Sequence, residues 1–429
     1  MRFILDFAYL IGLVLAIPFI AYRVIRHGRY RGQLAGRLGK IPRRNSDATT
    51  IWIHGVSLGE INASRSIVEQ LNQQIPDCKI LISTSTDTGL AQAKKLYANE
   101  HTVFTWPLDF SLVVSRALDR AKPDAVILME GEAWPNFLAA CNKRNIPSVV
   151  VNGRISPNKG YPRYKKLGKI ATNLFNSLTV IGVQDKIYAD LFLSLGVNPE
   201  KVVVTGMLKY DTISVADQVP GAAELAKTFK ISDDDNLFVA GGTGPEEEKI
   251  ILDAYKQILK SQSAVRLAII PRKPERFDEV AKLISNSFAC VRRSQTPDGS
   301  EIQIDKQAVI LGDTMGELRK FYSLSDEIFV GRSLVKMGGS DMIEAAALAK
   351  PTCFGPHTFN FPQAEDLLKN GCKIVTDANT LAKQVIDWIE NSKQASKDAI
   401  RAQEFVKFKQ GAAKANVELV KKLLKINSN

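Results

Sequence analysis

The chain has no CxxC pair. Its five cysteines, Cys78, Cys141, Cys290, Cys353 and Cys372, are scattered over 429 residues. An odd, dispersed set argues against a disulfide framework and for reduced, mostly buried thiols in a cytoplasmic protein. Histidine is scarce too: the four present are not paired at ligand spacing, which argues against a structural or catalytic zinc. No DxD-type pair is placed for a divalent ion, so no metal or other cofactor is expected. Internal repeats and low-complexity tracts are absent, and 45% hydrophobic with 24% charged residues is the composition of a globular protein. Acids are missing from residues 23 to 46, and that gap holds much of the excess behind the net charge of +12. Such a charge suits nucleic acid, an anionic membrane surface or anionic substrates. Its position beside an apolar run favours the membrane, and no aromatic-basic motif follows that would serve nucleic acid.

From Phe3 to Tyr22 the sequence reads FILDFAYLIGLVLAIPFIAY, about the 20 apolar residues that cross a bilayer. Asp6 is its one charge and would lie among headgroups. Positive charge follows the apolar run instead of preceding it, the reverse of a signal peptide. The positive-inside rule then puts everything after Tyr22 in the cytoplasm, on the inner leaflet of the membrane. The Arg-rich stretch after it would hold anionic inner-leaflet lipid, at roughly 1 kcal/mol per basic residue. A buried or interfacial amphipathic helix is the alternative reading of the same segment.

After Asp47, short β-rich runs alternate with helical patterns. TIWIHG (50–55), KILIST (79–84), TVFTW (102–106), DAVILM (124–129), PSVVVN (147–152) and TVIGVQ (179–184) form a first series. LFVAGG (237–242), VRLAIIP (265–271), AVILG (308–312), EIFVG (327–331), PTCFG (351–355) and CKIV (372–375) form a second. Unbroken apolar strands between helices indicate parallel sheets covered on both faces. The fold class is therefore α/β, with two doubly wound Rossmann-like domains facing a cleft. The expected boundaries are 1–46 for the anchor and its basic segment, 47–205 for the first domain, 206–230 for a linker, and 231–429 for the second domain with a terminal helix.

Strand ends carry the candidate chemistry. HGVSLGE (54–60) puts Glu60 in the first turn of a helix, as a base at the mouth of the cleft or as an acid favoured by the helix dipole. MEGEAWPNF (129–137) brings Glu130 and Glu132 to a strand end, where residues i and i+2 point to opposite sides of an extended chain. AGGTGPEEEK (240–249) is a glycine-rich turn whose N–H groups at Gly242 and Thr243 suit an anion, although three consecutive Glu would repel a phosphate far along the helix. IIPRKPERF (269–277) holds Arg272 and Lys273 between prolines, as a partner for phosphate or carboxylate or as a solvated basic loop. GDTMGEL (312–318) puts turn-forming residues before a helix, and GGSDMIEAAALAKP opens an Ala-rich helix with Glu344 placed to accept from ribose hydroxyls.

HGVSLGE, GEAWPN, GMLKYD (206–211), IPRKPERF, GDTMGEL, GGSDMIEAAAL and FGPHTFNF fall in the order found in 3-deoxy-D-manno-octulosonic acid (Kdo) transferases. The chain resembles that family over nearly its whole length. The resemblance implies a GT-B fold and inverting, metal-independent transfer of Kdo from CMP-Kdo to a lipid A precursor. It implies that the first domain binds acceptor and the second the CMP-sugar. Position by position, Glu60 matches the general base, and Glu130 and Lys209 match groups that stabilise the transition state. Pro271 and Arg272, then Met315, Gly316 and Glu317, then Asp341, Met342, Ile343 and Glu344 match the CMP-binding segments. Gly242, Thr243 and Lys273 are further candidates for phosphate or carboxylate, and Ser57 and Gly59 for the acceptor loop. The chain departs from the family pattern at Ser340-Asp341, where His-Asn is usual, at Ala345 and at Lys273. Another nucleotide-sugar transferase, an epimerase, or a catalytically silent membrane-bound adaptor for nucleotide or lipid are the competing readings.

Overall fold

The computed structural model describes residues 2–27, 33–215, 219–232, 234–296 and 305–425. They fall into two compact units, Met1–Thr212 with Lys409–Asn429, and Ile213–Phe408. The first is built on a sheet of seven strands: β1 Thr50–His54, β2 Lys79–Thr84, β3 Thr102–Thr105, β4 Ala125–Met129, β5 Ser148–Gly153, β6 Val180–Val183 and β7 Val202–Val204. They are parallel, in the order β3-β2-β1-β4-β5-β6-β7. The second unit holds β8 Asn236–Thr243, β9 Val265–Pro271, β10 Cys290–Arg292, β11 Val309–Leu311, β12 Glu327–Val330, β13 Thr352–Phe354 and β14 Lys373–Ile374. These are also parallel, ordered β10-β11-β9-β8-β12-β13-β14.

Both faces of each sheet are covered, which is why the strands read as unbroken apolar runs. Along β1 the side chains alternate: Trp52 packs with Phe104, Trp106 and Phe137 on one face, while Ile51 and Ile53 pack with Ile67 and Leu71 on the other. In each unit the strand order reverses beside the first strand, between β1 and β4 and between β8 and β12. Ligands of doubly wound sheets bind beyond the carboxyl ends at such a reversal. The loops after β1 and β4, and after β8, β9, β11 and β12, carry the motifs.

Three expectations change. First, among the described residues no helix is long and apolar enough to cross a membrane. The apolar N-terminal run does form a helix, Arg2–His27, but Asp6 is not free among headgroups. Its carboxylate accepts from Ser111 and from Asn136 in the first unit, so one stripe of this helix belongs to the protein body. The basic stretch expected after it lies partly outside the described residues, at 28–32. Second, the chain returns at its end to the first unit, not the second. The helix Ala412–Leu423 buries Ala413, Val417 and Val420 in the core that holds Ile61 and Leu71, and the Asp211 carboxylate caps it by accepting from Gly411 and Ala413 N–H. Third, the expected linker has no separate existence: residues to Thr212 join the first unit, and the helix Ala222–Thr228 packs on Leu318–Leu324 in the second.

Candidate functional site

In the first unit β1 ends at His54, and Ser57, in an extended conformation, caps the helix Leu58–Gln74. The cap also fixes an acid. Ser57 Oγ donates to Glu60 Oε1 at 2.8 Å, and Val56 N–H donates to Oε2 at 2.9 Å. Glu60 is 8% exposed. Burial pushes its carboxyl up to about 7 against the pull of those two bonds, and the charges of Glu130 and Glu132 push the same way. A carboxylate oriented by two donors, with a proton affinity near neutrality, is suited to general-base work. Gly59 beside it is exposed, and an added Cβ there would meet only Ser57 Oγ, at 3.8 Å.

Glu130 follows β4 with φ of +60°, a left-handed conformation that a non-glycine residue adopts at a cost, and Gly131 continues the turn at +126°. The twist lets Glu130 N–H donate to Val151 O and its carbonyl accept from Arg154 N–H, both at 2.9 Å. Its carboxylate meets the Arg154 guanidinium at 2.6 Å. Because the chain is not extended here, the opposite-sides expectation for residues 130 and 132 does not hold: both acids act on Glu60. Burial, then Glu130, push the Glu132 carboxyl upward. Lys209 lies on the short helix Leu208–Asp211, which packs against both the helix Leu58–Gln74 and the terminal helix. Asn152, at the end of β5, holds that turn by accepting from Leu208 N–H at 3.1 Å. Glu60, Glu130 and Lys209 thus belong to loops and turns that are bonded or packed to one another in one unit.

In the second unit the triple-Glu turn carries less charge than the sequence suggests. Glu247 is buried and accepts from the N–H groups of Gly244, Arg332, Ser333 and Leu334, knitting the loop after β12 to the loop after β8. Glu248, also buried, meets Arg276 at 2.6 Å and accepts from Thr243 Oγ1 at 2.8 Å. Only Glu246 is exposed. The expected repulsion of a phosphate is corrected accordingly. Ser340 Oγ donates to Gly242 O at 2.7 Å, which ties the loop holding Asp341 to Gly242.

The guanidinium of Arg272, in the loop after β9, is exposed and among the described residues has no ion-pair partner, whereas Lys273 lies 3.6 Å from Glu275. Pro271 ends β9 and pairs in register with Thr243. Met315 and Gly316 form an exposed turn, Gly316 at φ +86°. Glu317 is occupied: it meets Arg293 at 2.9 Å and Lys320 at 3.2 Å, and against the push of burial the Thr314 hydroxyl, Arg293 and Lys320 hold its carboxyl below the usual range. Asp341 caps the helix Met342–Ala346, accepting from Ile343 N–H at 3.2 Å. Met342 and Ile343 are fully buried, so their side chains serve the core and only their backbone groups are available to a ligand. The charges of Glu344, Asp341 and Arg272 all act on Tyr322, a buried phenol that burial pushes upward.

Sequence reasoning missed the partners. Arg154, Arg276 and Arg293 each neutralise an acid 24 to 28 residues away, and spacing gives no sign of it. His54 was also missed. It is fully buried, stacked on Trp106 with centroids 3.7 Å apart, and burial holds it neutral, down to about 3. Among the described residues no group of three or more His, Cys, Asp or Glu is placed to hold a metal.

Residues 32–212 match the family model described as 3-Deoxy-D-manno-octulosonic-acid transferase (kdotransferase). A 3-deoxy-D-manno-octulosonic acid transferase of Haemophilus influenzae is 32% identical over 99% of this chain and 99% of its own. One from Bordetella pertussis is 31% identical over 80% of this chain and 78% of its own. Among solved structures, a UDP-GlcNAc 2-epimerase from Neisseria meningitidis covers 88% of the chain and 100% of its own at TM-score 0.59 and 16% identity. A glycosyltransferase from Rickettsia africae covers 89% and 100%, at TM-score 0.59 and 15% identity. Those two likenesses show the GT-B-like, two-domain parallel-sheet fold alone; the sequence relatives, one of them aligned over 99% of both chains, decide the rest, and the chain belongs to the 3-deoxy-D-manno-octulosonic acid transferases, a family of glycosyltransferases.

Proposed function

We propose that the protein transfers Kdo from CMP-Kdo to a lipid A precursor in lipopolysaccharide biosynthesis, with inversion and without a metal. One observation carries the reading. Glu60 is a buried carboxylate with its two oxygens held by Ser57 and Val56 and its proton affinity raised to about 7. In this reading Glu60 takes the proton of the acceptor hydroxyl as the bond to the sugar forms, and CMP leaves with the electron pair of the broken bond. Lys209 and the Glu130–Arg154 pair stabilise charge in the transition state. Arg272 and the N–H groups near Gly242 and Thr243 receive the phosphate, while Glu344 accepts from the ribose. Positive charge and backbone donors take the part that a divalent ion plays in other transferases.

The supporting fact in the second unit is neutralisation: Glu247, Glu248 and Glu317 are all committed to internal partners. We further infer that the protein works at the cytoplasmic face of the inner membrane, attached to anionic inner-leaflet lipid without a spanning helix. The test is incubation of the purified chain with CMP-Kdo and a lipid A precursor, reading product mass, with and without excess EDTA. Product in both arms is expected. Activity that vanishes in EDTA and returns with Mg²⁺ would overturn the metal-independent mechanism, and no product in either arm would overturn the substrate assignment.

A further inference from the structure

The helix Arg2–His27 touches the protein along one stripe. Asp6, Tyr9, Leu13 and Ala16, spaced 3, 4 and 3 apart, are half-buried, and that spacing is one face of an α-helix. The remaining faces are open and apolar: Phe7, Leu10, Ile11, Val14 and Leu15 are exposed, Leu15 by 76%. No charged residue occurs between Asp6 and Arg23. A helix apolar around its open faces calls for an apolar medium, and a helix that does not span finds one in the interfacial layer of a bilayer. Exposed Arg26, Lys40, Arg43 and Arg116 belong to this helix and to the segments that follow or pack near it, which selects an anionic bilayer over a second copy of an equally basic chain.

Asp6 makes the attachment specific. Its carboxylate accepts from Ser111 N–H at 3.0 Å, from Ser111 Oγ, and from Asn136 Nδ2 at 2.9 Å. Asn136 is in turn fixed by Asp109, whose backbone carbonyl accepts from Nδ2 at 2.6 Å and whose carboxylate accepts from the N–H groups of Asn136 and Phe137. Tyr9 adds a bond to that same carboxylate at 3.3 Å. Asn136 opens the helix Pro135–Lys143, directly after the turn that carries Glu130, Glu132 and Trp134. A single hydrogen bond therefore separates the apolar helix from the segment that bears the acids around Glu60. Beside Ser111, Leu112 is 82% exposed.

We propose that Asp6 is a positioning residue: it latches an interfacial helix, lying in an anionic bilayer, to the Glu130–Asn136 segment, and so fixes that segment's height over the surface in which a lipid-linked acceptor sits. The proposal rests on the lipid-acceptor reading above, and its test is chosen to be separable from it. The full chain, with Cys290→Ser to remove the one half-buried thiol, carries Leu112→Cys labelled with an environment-sensitive dye. Vesicles of phosphatidylglycerol and phosphatidylcholine are added, and flotation and dye emission are read together. The parent is expected to float and its dye to shift to the blue. Asp6→Ala is expected to float as well, since the apolar faces are untouched, but to lose most of the blue shift. Asp6→Asn, which keeps one acceptor oxygen for Ser111 and Asn136, is expected to recover part of it.

Transfer to acceptor embedded in vesicles should fall on the order of tenfold in Asp6→Ala, as misplacement of an acceptor does, while transfer to detergent-dispersed acceptor changes little. An unchanged dye shift in Asp6→Ala overturns the latch, as does an equal loss of transfer in vesicles and detergent. A parent that does not float overturns the bilayer as occupant. Where the parent shows the dye shift but transfers Kdo to neither acceptor, the proposed substrate fails and the latch stands.

Discussion

The two units have nearly the same sheet order and opposite electrostatics at the ends of their strands. In the first, acids are kept buried and under-compensated: Glu60 has two neutral donors and two acidic neighbours, and Glu132 is pushed upward by burial and by Glu130. In the second, the acids of the loops after the strands are committed to internal donors, although burial still raises Glu247. Glu247 has four backbone donors, Glu248 and Asp313 have Arg276 and Arg292, and Glu317 has Arg293 and Lys320, while Arg272 is exposed and has no ion-pair partner among the described residues. A doubly wound sheet fixes where a ligand meets the chain, but the side chains at the strand ends fix what it finds there. The first unit keeps a poised acid at a strand end; the second ties the acids of its strand-end loops to internal donors.

The strongest way to break this contrast is to remove the stored proton affinity. Glu60→Gln keeps an acceptor for Val56 N–H and cannot take a proton, so turnover should fall about 10²–10⁴-fold. CMP affinity, which the proposed function assigns to the second unit, should be unchanged by calorimetry. In the parent, kcat/KM should rise about tenfold per pH unit up to roughly pH 7 and level off above it. Stability runs the other way. The folded chain holds a proton on Glu60 that the unfolded chain releases near its ordinary 4.5, so the stability this group lends is whole below 4.5 and gone above about 7. Glu60→Gln should therefore melt above the parent at about pH 8 and close to it at about pH 4. A mutant that loses turnover and stability together at about pH 8 would make Glu60 a structural acid instead.

Two arginines of one loop sharpen the contrast next. Arg272→Ala should weaken CMP by about 1.5–3 kcal/mol, the value of a charge-assisted contact, and barely move the unfolding midpoint because the side chain is exposed. Arg276→Ala should do the reverse: it strands Glu248, which is fully buried, at a cost of about 3–5 kcal/mol. The measurements are CMP titration and denaturant unfolding on both variants. Equal effects of the two substitutions on CMP binding would mean that Arg276 is not committed to the fold in solution.

That pair also shows what could be read from the sequence. Twelve of the strands follow from apolar runs between turn residues, because a strand buried on both faces announces itself locally. The two without such a run, Val202–Val204 and Cys290–Arg292, are edge strands in which no residue is buried. The motif positions were legible as strand ends. Their charge state was not: Arg272 and Arg276 look alike in IIPRKPERF, and only the fold gives the second to Glu248. Asp211, in a motif that resembles a catalytic segment through Lys209, turns out to cap the terminal helix, which is why the chain's end returns to the first unit.

The smallest expected effect lies at Asp341, which caps the helix Met342–Ala346. If the second unit is cleared of negative charge for an anion, Asp341, a partly exposed carboxylate whose charge acts on Tyr322 together with those of Arg272 and Glu344, is an acid out of keeping with it. Asp341→Asn retains the side-chain oxygen that accepts from Ile343 N–H, so the cap survives, and the lost interaction with the helix dipole is worth only a few tenths of a kcal/mol. Removing the charge should tighten CMP by about 0.5 kcal/mol, a little over twofold, as for other solvent-screened charges. Since screening acts on that term alone, the difference between parent and variant should close as salt is raised from about 0.05 to 0.5 M, while the loss in Arg272→Ala shrinks only in part. Weaker binding by Asp341→Asn at every salt concentration would show instead that the carboxylate accepts a hydrogen bond from the nucleotide, and that the second unit keeps one acid for recognition.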